Sequence, residues 1–566
     1  MRKKEEGNRF LVLGILWTLM IFFFSISIYH QCNLEPYKIA LFFGLQLLIY
    51  LFVRLLFLPF TSVMYYLLLI ITIVICLYEC YEGLSQLLSH HLSNHIFFSI
   101  TGSFYNPGPY GGFLAVCSSL LVAHIVKGKV LCIPKCHRLF LWTVSFVAIT
   151  AIIILPFTQS RSSILAFVCS ILMLILNTDF IIQKIKPFII HNAFILIIGA
   201  SVIVTGAYLC KKPSADGRFF INKISIKAMC ENGLIGAGLG SFGGAYGKAQ
   251  YEYFLDQITE DSREEMNWSA INERERLTAE CPVKAFNEYL HLGVEAGPFN
   301  MVLFICLLTS AIVISLKEDT IWCYGLTTFA VFAFFSYPFD ILQFKIMFPI
   351  ILAACISDTN KENHFVLKSL IDIKKSVDIL VLTITIIVLS TYLIMEKESI
   401  RSSKQAETIW RKAEKWHQMG YYDYAVEECD KIFASYKYDM NYLFAYGQSL
   451  NKMGIYEKSD SILVLGTKLS SDPMFWNVMG NNSLAMGRYE EAEERYIHAF
   501  LMVPNRMYPL YLLANLYYAE GDTALFRDMA KKVEYFVPKV ESIRTERMRK
   551  EVRESCFGII NNSIHK

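Results

Sequence analysis

Apolar residues in this chain run on without the interruptions that give a soluble helix its polar face or a half-buried strand its alternation. Such runs occur near Phe10 to Tyr29, Tyr37 to Leu58, Thr61 to Tyr81, Tyr110 to Val126, Leu139 to Phe157, Ile164 to Ile182, Pro187 to Leu209, Pro298 to Leu316, Ile321 to Ser336, Ile341 to Ile356 and Val377 to Met395. Each is long enough, or nearly so, to cross a bilayer as a helix, which predicts about 11 spans. The pattern breaks twice. Lys211 to Gly297 is polar and lies between spans, and after Met395 the hydropathy falls for good.

The basic residues order these spans. Arg2, Lys3, Lys4 and Arg9 precede the first run, and no small-residue cleavage site follows it, so a retained helix with a cytoplasmic N-terminus is expected rather than a removed signal peptide. Threading from there puts Arg54, Lys127/Lys129/Lys135/Arg138, Lys184/Lys186, Lys317 and Lys368/Lys374/Lys375 on the cytoplasmic side. Ser85 to Tyr105, the Thr158 to Arg161 turn, the long loop and everything after Met395 then share the other side.

Composition agrees: 54% hydrophobic and 14% aromatic residues describe an integral membrane protein. The net charge of +3 is small and the cations are dispersed among acids, which argues against nucleic-acid binding. The 15 cysteines form no framework. Cys210, Cys230 and Cys281 border or lie in the long loop, with no pairing readable from their spacing, and the Cys132/Cys136/His137 group has no second pair to complete a zinc site. His90, His91 and His95 lack neighbouring acids, and no metal is expected.

Beyond Met395 a period appears: Gly420, Gly454, Gly487 and Gly521 are spaced 34, 33 and 34 residues apart, each just after Met or Glu and before a further helical stretch. With Ala425 and Ala492 after the turn and Pro473 and Pro504 opening new units, residues 407–537 resemble tetratricopeptide repeats, stacked helix pairs that bury together what one pair cannot. The resemblance implies a partner-binding solenoid, with a passive lid or spacer as its plainer reading.

Three segments point to a family. Gly102-Ser-Phe-Tyr-Asn106-Pro-Gly-Pro-Tyr110-Gly-Gly enters one span, Thr158-Gln-Ser160-Arg161-Ser-Ser enters another, and Asn287-Glu-Tyr-Leu with Glu295-Ala-Gly297 leads out of the long loop. In their order and spacing these resemble the O-antigen ligase family, with its O-antigen polymerases and protein O-oligosaccharyltransferases. The resemblance implies a polytopic, GT-C-like glycosyltransferase that moves a glycan from a polyprenyl-pyrophosphate lipid to a hydroxyl acceptor, in a glycolipid, a growing polysaccharide or a protein, on the periplasmic face of a bacterial inner membrane. No cofactor is implied.

The residues carry compatible chemistry. A departing pyrophosphate needs fixed cations, and the guanidinium fork matches phosphate oxygens. Arg161 at the end of a span and Arg218 near the start of the long loop are the candidates, with Lys211, Lys212 and Lys223 as ordinary loop charges. Many family members carry His before the Asn of the third segment; here that position is Phe286. His291 lies about 140 degrees away on a helix and is no obvious substitute, which leaves Glu288 and Glu295 as alternative bases; Glu295, with Gly297, suits a packing and capping element better, or a substrate contact. Asn287 is placed to orient a phosphate or acceptor, and Asn106, Tyr110 and Ser160 to line the entrance. The Gly233 to Gly247 run fits no nucleotide-binding pattern and suits tight loop packing.

The expected architecture is all-α: a membrane glycosyltransferase domain over 1–398 with its large periplasmic loop at 211–297, a periplasmic repeat domain over 404–540 and a tail over 541–566. The competing reading is a non-catalytic scaffold or polysaccharide exporter whose repeats recruit partners.

Overall fold

The computed structural model describes residues 34, 36–128, 134–178, 212–259, 270–357 and 367–564. The expected spans at Phe10 to Tyr29 and Pro187 to Leu209 lie outside the described residues, as do Lys129, Cys132, Lys184, Lys186, Cys210 and Lys211. The fold is all-α. Apolar segments of spanning length occupy Tyr37–Phe57, Thr61–Leu87, Pro107–Lys127, Cys136–Thr158, Pro298–Lys317 and Asp378–Met395, and three shorter apolar helices pack among them.

The bundle comprises α1 (Pro36–Leu87), α2 (Pro107–Lys127), α3 (Pro134–Ile154) and α4 (Arg161–Leu176) before the long loop. The loop itself folds into α5 (Lys212–Glu231), α6 (Phe242–Thr259), α7 (Glu273–Thr278) and α8 (Glu288–Ala296). The bundle resumes with α9 (Pro298–Lys317), α10 (Trp322–Ala333), α11 (Leu342–Ser357) and α12 (Leu367–Met395).

Sequence reading expects two spans where α1 is one helical element, and its contacts show how one element serves as two. The rings of Phe57 and Tyr65 both pack on Trp322, while Phe42 packs on Phe339 and Gly83 abuts Tyr110 at the other end of the bundle. A straight helix would hold Phe42 and Gly83 about 60 Å apart, so α1 doubles back between its two apolar segments, Tyr37–Phe57 and Thr61–Leu87.

α2 is the central helix, buried along most of its length. Its two glycines set the packing. A methyl on Gly111 would lie 2.8 Å from Thr158 Oγ1 and 3.0 Å from Ser163 Oγ, and one on Gly112 would overlap the Phe332 ring. Small residues therefore bring the N-terminus of α4 directly against that of α2, as they do wherever membrane helices approach closely. At the far end, Lys127 pairs with Asp319 at 2.7 Å and Arg54 pairs with Asp378 at 2.8 Å.

α12 runs almost without a break into the repeats: α13 (Lys397–Met419), α14 (Tyr422–Tyr436), α15 (Met440–Lys452), α16 (Tyr456–Thr467), α17 (Met474–Ala485), α18 (Tyr489–Met502), α19 (Tyr508–Glu520) and α20 (Thr523–Tyr535), followed by α21 (Ile543–Ile564). The Glu396 amide donates to Tyr392 O and its carbonyl accepts from Ile400 N, so helical bonding crosses the joint. The periodic glycines sit at the turns in left-handed backbone, with φ of 82°, 77°, 74° and 86° at Gly420, Gly454, Gly487 and Gly521, a conformation that costs other residues strain. The array does not stand apart from the loop. Phe220, Phe242, Tyr246 and Phe254 of the loop share one hydrophobic core with Tyr496, Phe500, Leu513 and Phe526 of the repeats.

Candidate active site at the loop end of the bundle

The site begins where two helix N-termini meet. Asn106 caps α2, its Oδ1 accepting from Gly108 N at 3.0 Å, with Pro107 supplying a first-turn residue that needs no hydrogen-bond partner. Ser160 occupies the cap position of α4, with its Oγ 2.6 Å from Ser163 Oγ, and Ser163 Oγ donates to Gly108 O at 3.2 Å. Arg161 is therefore the first residue of α4, half-buried beside the start of α2, where the partial positive charge of two helix ends adds to its own.

Arg218 reaches the same place from α5. Its Nη1 donates to Phe335 O at 3.0 Å and its guanidinium lies 5.5 Å from the centre of the Phe286 ring. Its side chain is exposed. Desolvation by the protein around it and the nearby charge of Arg161 both lower its proton affinity below the ordinary arginine value. Both guanidinium groups remain charged, so positive charge is concentrated at this end of the bundle.

The turn between α10 and α11 packs against these residues. Asn106 Nδ2 lies 3.4 Å from Tyr337 OH, and the Tyr337 ring meets Phe286 edge-on at 5.6 Å. Lys284 sits 5.1 Å over the Tyr337 ring and pairs with Asp340. Phe286 holds a left-handed backbone, φ 51°, an uncommon conformation for an aromatic residue, just before α8 begins.

Glu288, the first residue of α8, is buried. Burial, chiefly, and the negative charge of Asp340 push its carboxyl up to about 8, against the opposing effects of the Phe339 amide and Lys284. A carboxyl so placed changes protonation near neutral pH, the range useful for proton transfer.

The structure thus brings together Arg161, Arg218, Asn106 and Glu288 along one chain of contacts, with Ser160 buried at the cap beneath Arg161. Four other residues singled out by sequence lie differently. Tyr110 is fully buried, its hydroxyl donating to Glu79 O at 2.9 Å, so it packs beneath the entrance rather than lining it. Asn287 is spent as a cap, its Oδ1 accepting from Tyr289 N at 3.1 Å and Leu290 N at 3.2 Å. Glu295 Oε1 accepts from Gly240 N at 3.0 Å and Phe242 N at 3.1 Å, capping the start of α6. His291 stacks on Phe242 at 4.8 Å and lies 3.5 Å from Glu295, on the α6 side of α8. Because α8 starts at Glu288, the helical rotation argued between Phe286 and His291 does not apply; Phe286 precedes the helix. Cys230 and Cys281 are both free thiols.

Sequence reading missed Tyr337, Lys284 and Asp340. The threading that places the long loop and the Thr158 to Arg161 turn on one side puts Tyr337-Pro-Phe-Asp340 there too, and that was the available signal.

A comparison with curated proteins finds no match. A family model does match: residues 146–305, which include Arg161, Arg218, Lys284 and Glu288, fit the model described as O-antigen ligase. Over those residues the membrane domain is similar to the O-antigen ligase family.

Proposed function

We propose that this protein is a lipid-dependent glycan transferase, moving a glycan from a polyprenyl-pyrophosphate lipid to a hydroxyl acceptor on the periplasmic side of a bacterial inner membrane. The observation that carries the reading is the placement of Arg161, which opens α4 against the start of α2 and its cap Asn106, and of Arg218, which lies 5.5 Å from the Phe286 ring that meets Tyr337 beside Asn106. Bringing two such cations together is unfavourable, and a pyrophosphate bound between them relieves that cost.

In this mechanism the acceptor oxygen attacks the anomeric carbon with inversion, forming the new glycosidic bond as the bond from that carbon to the pyrophosphate oxygen breaks. Arg161 and Arg218 stabilise the negative charge that develops on the leaving group, and the two helix N-termini reinforce them. The acceptor's proton passes to the ionised carboxylate of Glu288. Lys284, held by Asp340, favours that ionised form. Asn106 and Tyr337 are polar contacts for the sugar or phosphate, and the tetratricopeptide-like repeats, which pack on the long loop, receive the acceptor.

The test is transfer by purified full-length protein in detergent with native lipid-linked glycan, offered glycolipid and protein acceptors in parallel. Product from the wild type, with unconsumed donor in Arg161→Ala and Arg218→Ala, is expected. Folded wild type that transfers to neither acceptor would instead favour a scaffold or exporter.

A further inference from the structure

The segment that delivers Lys284, Phe286 and Glu288 to the site has no regular structure between α7 and α8, residues 279–287. Backbone carbonyls in such a stretch need partners when buried. Here they find them mainly in the repeats. Asn505 Nδ2 donates to Ala279 O at 2.5 Å, and Ser471 Oγ donates to Pro282 O at 3.2 Å. The carbonyl between them, Glu280 O, accepts from Gln250 Nε2 of α6 at 3.0 Å, and the same amide group donates to Met502 O of the repeats. Asn505, Ser471 and Gln250 are all buried.

The glycine run explains how the repeats come so near. Gly243, Gly244 and Gly247 lie on one face of α6, and a methyl on Gly243 or Gly244 would overlap Leu469 O or Lys468 O, while one on Gly247 would lie 2.9 Å from Ser471 Cα. The turn carrying Ser471 therefore rests directly on α6, backbone against backbone.

We infer that the repeat array is a working part of the site, with Asn505 and Ser471 acting as positioning residues that clamp 279–282 and so fix Lys284 and Glu288. A main-chain clamp is suited to this task. It acts on the carbonyls whatever the side chains are, and it leaves the reacting groups themselves untouched. Passive anchoring of the repeats would not require their side chains to satisfy the backbone of the irregular segment that carries Lys284 and Phe286 to Glu288. The inference rests on reading Lys284 to Glu288 as part of a transferase site.

The experiment uses the full-length protein carrying Asn505→Ala with Ser471→Ala, and Ser471→Ala alone should the pair fail to fold. Two readouts are taken: amide hydrogen exchange and steady-state transfer. Exchange over 279–290 is expected to accelerate by at least about 10-fold while 440–467 stays unchanged, and kcat to fall about 10-fold with donor KM within about threefold. Unchanged exchange over 279–290, exchange spread equally through the repeats, or a mobile segment with full kcat would each overturn the clamp. Should the wild type transfer nothing, the exchange readout still decides the clamp, and the transferase reading alone falls.

Discussion

The repeat array and the membrane-end recess use arginine in opposite ways. Arg495, between two repeats, is neutralised by carboxylates: its guanidinium meets Asp460 at 2.7 Å and Glu491 at 2.6 Å, and also Met479 O at 2.7 Å. Arg218 is held instead by a carbonyl oxygen and an aromatic ring, facing the charge of a second arginine. The first arrangement spends the charge on structure. The second fixes the side chain's position with neutral groups and leaves its charge to act on something else. At the far end of the bundle Arg54 is spent as Arg495 is, meeting Asp378 at 2.8 Å.

That contrast can be broken by exchanging the losses. Arg161→Ala or Arg218→Ala should lower kcat/KM for transfer by about 10²- to 10³-fold while leaving thermal unfolding nearly unmoved, because each removes charge stabilisation of the leaving group. Arg495→Ala should do the reverse, destabilising the repeats by about 2–3 kcal/mol through the carboxylates it abandons. Transfer assays and unfolding curves on the same three variants decide it.

Glu288 sharpens the comparison through pH. Its folded carboxyl holds its proton up to about 8, well above the unfolded value, so the protonated form is the one the fold tolerates. The sign follows: no penalty exists below the unfolded carboxylate range, the penalty grows as pH rises through the interval, and it is complete above about pH 8 at roughly 4–5 kcal/mol. Glu288→Gln should therefore leave stability unchanged near pH 4 and raise it by a few kcal/mol at pH 9. The same change should cost transfer about 100-fold. In the wild type, the transfer rate should climb from pH 6 and level off past pH 8. A flat profile would remove Glu288 from the base role.

A smaller effect separates charge from geometry. Arg218→Lys keeps the cation and loses the fork, and is expected to retain about a tenth of wild-type kcat/KM. At the bottom of the scale, Lys458→Ala breaks an exposed pair with Asp430 and should change stability by less than about 0.5 kcal/mol, with transfer untouched.

Much of this architecture was legible because membrane spans and repeats announce themselves by long-range pattern. Bilayer thickness dictates the apolar runs, and the left-handed turn dictates glycine at Gly420, Gly454, Gly487 and Gly521. Arg161 was legible for a related reason, since an arginine at the end of a span demands explanation. Asn287 misled because a capping side chain and a substrate-binding one are the same residue types, and only the amides they face tell them apart, whereas Glu295 caps as its position beside Gly297 suggested. Tyr337, Lys284 and Asp340 were hidden because their meaning lies in contacts across long stretches of sequence. The clamp by Asn505 and Ser471 was hidden for the same reason: nothing local in either residue says that its partner is a carbonyl in the loop.

The most direct test of the account is binding of a polyprenyl pyrophosphate to purified protein, measured by titration calorimetry for wild type, Arg218→Ala and Arg495→Ala. The account predicts that Arg218→Ala weakens binding by about 100-fold, as expected for a lost bidentate phosphate contact, while Arg495→Ala binds as the wild type does. Equal affinity in Arg218→Ala and wild type would contradict it, since the recess would then not be where the pyrophosphate is held.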